Sequence, residues 1–201
     1  MSKQIWKPSV LLNPVPLVMV SCMDKNEIPN IITLGWTGTI NTHPPMLSIS
    51  VRPERHSYGM IKESGEFVVN LVTKELTKAA DFCGVKSGRD IDKFKYLNLT
   101  QDKASKVNTP IIKESPINIE CKVTNSIALG SHELFLAEIK AVQVEEKLLD
   151  STGKLNLAKA ELICYSHGEY YELGNVLGYF GYSITKNNEV LQKRLGKNKR
   201  R

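Results

Sequence analysis

The order of apolar and polar positions marks out strands along most of the chain. "VPLVMVSCM" (15–23) is short, apolar and Val-rich, the pattern of a buried strand, and "DKNEIPN" follows as a hairpin-like polar turn. "IITLGW" reads as a second strand, "NTHPP" as a Pro-punctuated loop, and "MLSISV" as a strand alternating with period two, one face buried. "SYGMIKESG" is one or two helical turns, with Ser57 as candidate N-cap. "EFVVNLV" (66–72) is a further strand. "KELTKAADFCGV" carries Leu76, Ala79, Ala80 and Cys83 at helical spacing, with Gly84 as its expected stop.

The second half is longer in rhythm. "KSGRDIDKFKYLNLT" reads as a polar loop and a short helix that Asp92 can cap, and "VNTPIIKESP" as another loop. "INIECKVTNSIAL" and "HELFLAEIKAVQVEEKLL" are two long strands joined at Gly130-Ser131, with Ile117, Ile119, Cys121 and Val123 on one face. "DSTGKLN" is a turn; "LAKAELICYS" and "GEYYELG" give no clean period. Many short strands linked by tight turns, with two short helices inserted, predict a mainly β protein: an antiparallel barrel or sandwich. No GxGxxG follows the first strand, so a doubly wound nucleotide fold has no support.

Composition leaves that picture intact. The 201 residues are 41% hydrophobic and 24% charged, an ordinary globular balance that suits one domain over 1–185. No apolar run approaches the roughly 18–20 residues that span a bilayer. Pro14 and Pro16 interrupt the apolar start, and no small-residue cleavage site follows, so a signal peptide is not expected and a cytoplasmic location is. Net charge is +6, yet residues 186–201 alone hold seven Lys or Arg against one Glu. This basic tail reads as a flexible, solvated terminus; no basic-aromatic stripe in the body argues for nucleic acid, and no membrane partner is expected. Cys22, Cys83, Cys121 and Cys164 lack Cys-x-x-Cys spacing, so buried reduced thiols are expected and no metal site.

Two stretches stand out. In "GWTGTINTHPP", Gly35 and Gly38 flank Trp36 and Thr37. Glycines there would let a flat heterocycle approach the main chain, with Trp36 as an apolar wall; the alternative is a β-bulge with Trp36 in the core. In "SVRPERHSY", a strand ends at Val51, then Arg52, Arg55 and His56 precede Ser57 at a helix start. Cations beside free helical N–H groups suit a phosphate; the alternative is an ordinary exposed loop. In "SGRDIDKF", Lys93 could reach a ligand carbonyl or phosphate, or stand solvated at a helix start. His132 is a lone histidine at the start of a strand, and His43 and His167 sit in loops. No Gly-x-Ser-x-Gly elbow supports a hydrolytic triad, and no catalytic side chain is assigned.

Taken together, "VPLVMVSCMDKNEIPNIITLGWTG", "PPMLSISVRPERHSYGMI", "GEFVVNL", "CGVKSGRDIDKF", "IECKVTNSIALGSHELFLAEI" and "YYELGNVLGYFG" resemble, in this order, the flavin-reductase-like FMN-binding split-barrel family, and within it the flavoredoxin-like branch. The resemblance runs from about Asn13 to Tyr182. It implies a six-stranded Greek-key split β-barrel, a homodimer, and noncovalent FMN near the subunit interface. It places Asn30, Trp36, Thr37, Gly38 and Thr39 along the flavin ring and side chain. Ser50 and Arg52, with Arg55, His56, Ser57 and Tyr58, would receive the ribityl phosphate. Lys93, His132 and Tyr165 would approach the flavin. The activity implied is NAD(P)H:flavin oxidoreduction, hydride passing from NADH or NADPH to flavin. The alternative is an FMN electron carrier serving a redox protein partner.

Overall fold

The computed structural model describes residues 1–184; the basic tail 186–201 lies outside the described residues. Seven antiparallel strands form the main sheet: β2 (Val18–Met23), β3 (Pro29–Leu34), β4 (Thr37–Thr42), β5 (Pro45–Val51), β6 (Glu66–Leu71), β9 (Ile117–Ala128) and β10 (Glu133–Val144). Their spatial order is β3-β2-β6-β9-β10-β5-β4. A second sheet joins β1 (Val15–Pro16), β11 (Ile163–Ser166) and β12 (Glu169–Glu172), and β7 (Gln101–Asp102) pairs with β8 (Ile111–Ile112). Three α-helices are inserted: α1 (His56–Ser64), α2 (Thr77–Val85) and α3 (Lys93–Leu97). None of the described helices is long and apolar enough to cross a membrane.

Connectivity forces the main sheet to curl. β3 and β4 stand at opposite ends of the order, yet only Gly35 and Trp36 separate them in the chain. That link reaches about 11 Å at full extension, whereas the edges of a flat seven-stranded sheet lie about 29 Å apart. The sheet therefore closes on itself. Closure is incomplete, because β3 and β4 do not pair; the Ser50 amide instead donates to the Trp36 carbonyl at 2.9 Å. This is a split barrel, and the split falls at the Gly-Trp break.

The period-two alternation fills the interior. Val18, Val20 and Cys22 of β2 meet Leu47, Ile49 and Val51 of β5, Phe67 and Val69 of β6, and Phe135 and Ala137 of β10; Met60 and Ile61 of α1 pack against them. The opposite face of β2 and β3 is covered too. Leu17, Met19 and Ile31 lie under Leu76, Ala80 and Cys83 on and beside α2, Phe94 of α3, Ile112 of β8 and Ile163 of β11. Burial on both faces explains the continuous apolar run over 17–22, but 15–23 is not one strand: it divides at Leu17, and Val15–Pro16 pair with β11 in the second sheet.

Several expectations need correction. Ser57 is not an N-cap: α1 begins one residue earlier, Arg55 holds the cap position without a side-chain bond, and Ser57 is buried in the first turn. Gly84 does not stop α2, which continues to Val85. "GTINT" forms strand β4, so Asn41 and Thr42 belong to a strand rather than to a loop. "VNTPIIKESP" hides the buried pair Ile111–Ile112, whose pattern is too short to declare a period. His132 sits in the β9–β10 turn, one residue before its strand. The main sheet has seven strands, where the resemblance implied six. Asp92 caps α3 as expected, accepting from the Lys95 amide at 3.1 Å. Cys22, Cys83 and Cys121 are buried, Cys164 is partly so, and all four are free thiols.

Candidate functional site

Two cavities lie side by side, both built on neighbouring residues of β3 and α2; one reaches Ser50 of β5 and the other Arg52, just past its end. The first, of about 250 Å³, is lined by Asn30, Arg52, Arg55, His56, Ser57 and Lys93 among the expected residues, and by Glu54, Lys86 and Arg89. The second, of about 570 Å³, is largely apolar. Its walls include Leu34, Trp36, Ser50, His132, Tyr165 and Tyr170, with Val10 and Leu12 from the N-terminal segment. A third hollow of about 480 Å³ shares Gly35, Trp36 and Ser50 with the second and adds Thr37 and Gly38. Thus the stretches flagged from sequence converge, although Thr39 and Tyr58 line none of these three cavities.

The floor of the cationic cavity is a buried polar lock. Asn30 donates through Nδ2 to Ser57 Oγ at 2.8 Å, joining β3 to the first turn of α1. Gly88 packs against the same amide: a Cβ at position 88 would stand 2.2 Å from Asn30 Oδ1, so only glycine fits. Lys93, 4% exposed, is not the solvated helix start that its sequence context allowed. Its ammonium donates to the carbonyls of Ile31 at 2.6 Å and Cys83 at 2.9 Å. An ammonium has three donors, which leaves one for the cavity that Lys93 lines. Burial pushes the Lys93 pKa down, partly opposed by the Cys83 and Cys22 thiols. α2 is held over β3 by Thr33 Oγ1, which donates to the Ala80 carbonyl at 2.6 Å.

The rim is cationic. Arg52 pairs with Glu54 at 3.2 Å, and Arg89 Nη1 donates to the Glu54 carbonyl at 3.1 Å, tying the loop after β5 to the loop after α2. Burial and then the charges of Arg89 and Lys93 lower the His56 pKa. An incoming anion would oppose the effect of those two charges.

The apolar cavity is organised by Trp36. Its ring is not core filling: it is 48% exposed and lies 4.6 Å from the His132 ring at 39°. The reading of Trp36 as core filling therefore fails, although the β4–β5 pairing does carry a register irregularity between Thr39 and Asn41. His132 Nδ1 is 2.9 Å from Ser131 Oγ, and burial, then Arg52, lowers its pKa. A Cβ at Gly38 would meet nothing within 4 Å, so the main chain there is open to a flat partner. Tyr165 is half-buried, packed at 5.7 Å on Tyr170, whose hydroxyl donates to Asp81 at 2.7 Å.

Sequence reasoning missed Glu133. It is buried; its carboxylate accepts from Tyr58 Oη at 2.5 Å and pairs closely with Lys62. These donors, with Ser126, hold its pKa at about 2. Tyr58 therefore clamps α1 to the start of β10, and Glu133 stands opposite Val51, the residue before Arg52. An acid followed by an alternating apolar strand carries no local signal for this role.

Nucleophilic and metal chemistry find no support among the described residues. Burial pushes Cys22 and Cys121 to about 12 and Cys83 to about 11, so these thiols stay protonated near neutral pH. No group of three or more His, Cys, Asp or Glu could hold a metal ion.

Known proteins share this architecture. The flavoredoxin of Desulfovibrio vulgaris (Miyazaki F) superposes with a TM-score of 0.85 at 30% identity, over 92% of this chain and 100% of that one. Flavoredoxin from Methanosarcina acetivorans gives 0.84 at 28%, with the same coverage. An uncharacterized protein of Archaeoglobus fulgidus is 35% identical over 130 residues, 65% of this chain and 73% of that one. Residues 11–174 match the flavin reductase like domain, and the chain belongs to that family.

Proposed function

We propose that the chain binds FMN noncovalently and reduces it with a nicotinamide donor. The observation that carries this reading is the adjacency of the two cavities: cations and a buried lysine in one, and an aromatic-walled cleft with open main chain in the other. The donor set fits the cofactor. Arg52, His56 and the Ser57 first turn suit a dianionic phosphate, which charge-assisted hydrogen bonds hold tightly. Trp36, Thr37 and Gly38 suit a flat ring. When bound, the flavin supplies the two-electron chemistry.

The protein's own part is then binding and exclusion. Arg52, Arg55 and His56 neutralise the phosphate. The remaining Lys93 proton can point to a ligand oxygen and stabilise negative charge there. Trp36 and Tyr165 shield the ring from water. Hydride transfer to a bound flavin requires no side-chain acid or base of the protein. A homodimer completes the proposal: β4 is an edge strand whose outer residues 39–42 are exposed, and such an edge is normally covered.

The test is a visible spectrum of the purified protein, with an FMN titration if it emerges colourless. Flavin bands or saturable FMN binding support the reading; neither would end it. A second reading, an electron carrier serving a protein partner, is favoured by the likeness to flavoredoxins. Anaerobic mixing with NADH or NADPH separates the two, since rapid bleaching of bound flavin belongs to the first.

A further inference from the structure

The cationic cavity carries more charge than one phosphate monoester can satisfy. Five cationic side chains, Arg52, Arg55, Lys86, Arg89 and Lys93, line it against a single carboxylate, Glu54, which is already paired with Arg52. Their engagement differs. Lys93 gives two of its three donors to carbonyls at the floor, and Arg89 holds the Glu54 carbonyl. The Arg55 and Lys86 side chains make no hydrogen bond or ion pair among the described residues. Lys86 follows α2 in extended conformation, and α2 ends on the apolar cavity, which Gly84 and Val85 line. With Arg55 on the flavin-phosphate side, Lys86 is the unengaged charge that stands where the two cavities adjoin. Like charges held this close repel one another, so the arrangement asks for more than one dianion.

We propose that Lys86 and Arg89 form a second anion subsite, which takes a phosphoryl group of the nicotinamide dinucleotide while the flavin phosphate occupies the Arg52–Ser57 side. This rests on the flavin reading and adds to it a residue-level account of how the donor is recognised. Flavin alone leaves the rim under-neutralised; a dinucleotide brings its own phosphates past Val85 with its nicotinamide directed to the Trp36 cleft. A pyrophosphate and a 2′-phosphate offer the same chemistry here.

The test is calorimetry on FMN-loaded protein with the non-reacting NAD⁺ and NADP⁺, in the parent and in Lys86→Gln and Lys86→Glu. Both changes fall on an exposed side chain with no partner to lose. The parent is expected to bind NADP⁺, and each variant to weaken it, by about tenfold for the charge reversal. An equal loss for NAD⁺ assigns the subsite to the pyrophosphate; a loss confined to NADP⁺ assigns it to the 2′-phosphate. If the variants match the parent, the subsite alone is refuted; if the FMN-loaded parent binds neither dinucleotide, the subsite falls together with the nicotinamide donor, while FMN binding stands. If the parent never takes up FMN, the failure is that of the flavin reading.

Discussion

The two cavities share two structural elements, β3 and α2, yet are built by opposite means. The cationic one is held by short, directional contacts: Asn30 to Ser57, Lys93 to two carbonyls, Arg89 to the Glu54 carbonyl. The apolar one is walled by rings and aliphatic side chains from distant parts of the chain, including Val10, Leu12, Tyr165 and Tyr170. The first can orient a charged group and the second can only enclose a flat one. Comparing ligands that differ by a phosphate alone separates the two contributions.

Arg52→Ala should produce the largest divergence. FMN affinity is expected to fall about 10- to 100-fold, the worth of a lost charge-assisted contact, while riboflavin affinity changes about threefold or less. Flavin fluorescence quenching reads both; an equal loss for the two ligands would move the phosphate elsewhere. Gly88→Ala comes next. The new Cβ displaces the Asn30 amide, so FMN affinity should drop about tenfold, with about 1–3 kcal/mol of stability lost to overpacking, measured by urea melts. Unchanged stability would mean that the 87–89 loop yields freely.

Trp36→Leu probes the other cavity. FMN and riboflavin should weaken together, by about five- to tenfold, because the aromatic contact is blind to the phosphate. A selective loss of FMN would break the division of labour.

Glu133 gives the smallest effect on binding and a distinct effect of pH. Its folded pKa of about 2 lies below the ordinary 4.5, so its stabilising contribution is complete above about pH 4.5 and fades as pH falls toward 2. Glu133→Gln should therefore cost stability at pH 7 and much less near pH 2.5, read as converging urea midpoints. A constant gap between the two proteins would show that the Tyr58–Glu133–Lys62 clamp does not act through charge.

The strands were legible because alternation reports burial directly. β5, β6 and β9 lie where the sequence placed them, whereas 15–23 divides into β1 and β2, and β10 ends at Val144, where "EKL" turns into a 3-10 helix. β4 was not legible, since "GTINT" is mostly polar and exposed, and an edge strand needs no apolar face. Of the candidate site, the cations after Val51 and the Gly-Trp-Thr-Gly break were readable as departures from strand chemistry. Lys93 was a candidate from its place in "SGRDIDKF" and again by resemblance, but its burial was not foreseeable. Glu133 and the Gly88–Asn30 contact had no local trace.

Local sequence determined the strand set, the α3 cap at Asp92 and the cluster of charge after β5, because each depends on neighbours a few residues away. Tertiary structure alone decided that Gly35-Trp36 marks the split of a closed barrel, that Lys93 lies under β3, and that a pair of dissimilar cavities meets beside α2. Those outcomes depend on contacts between residues tens of positions apart, whose geometry exists only once the sheet has curled.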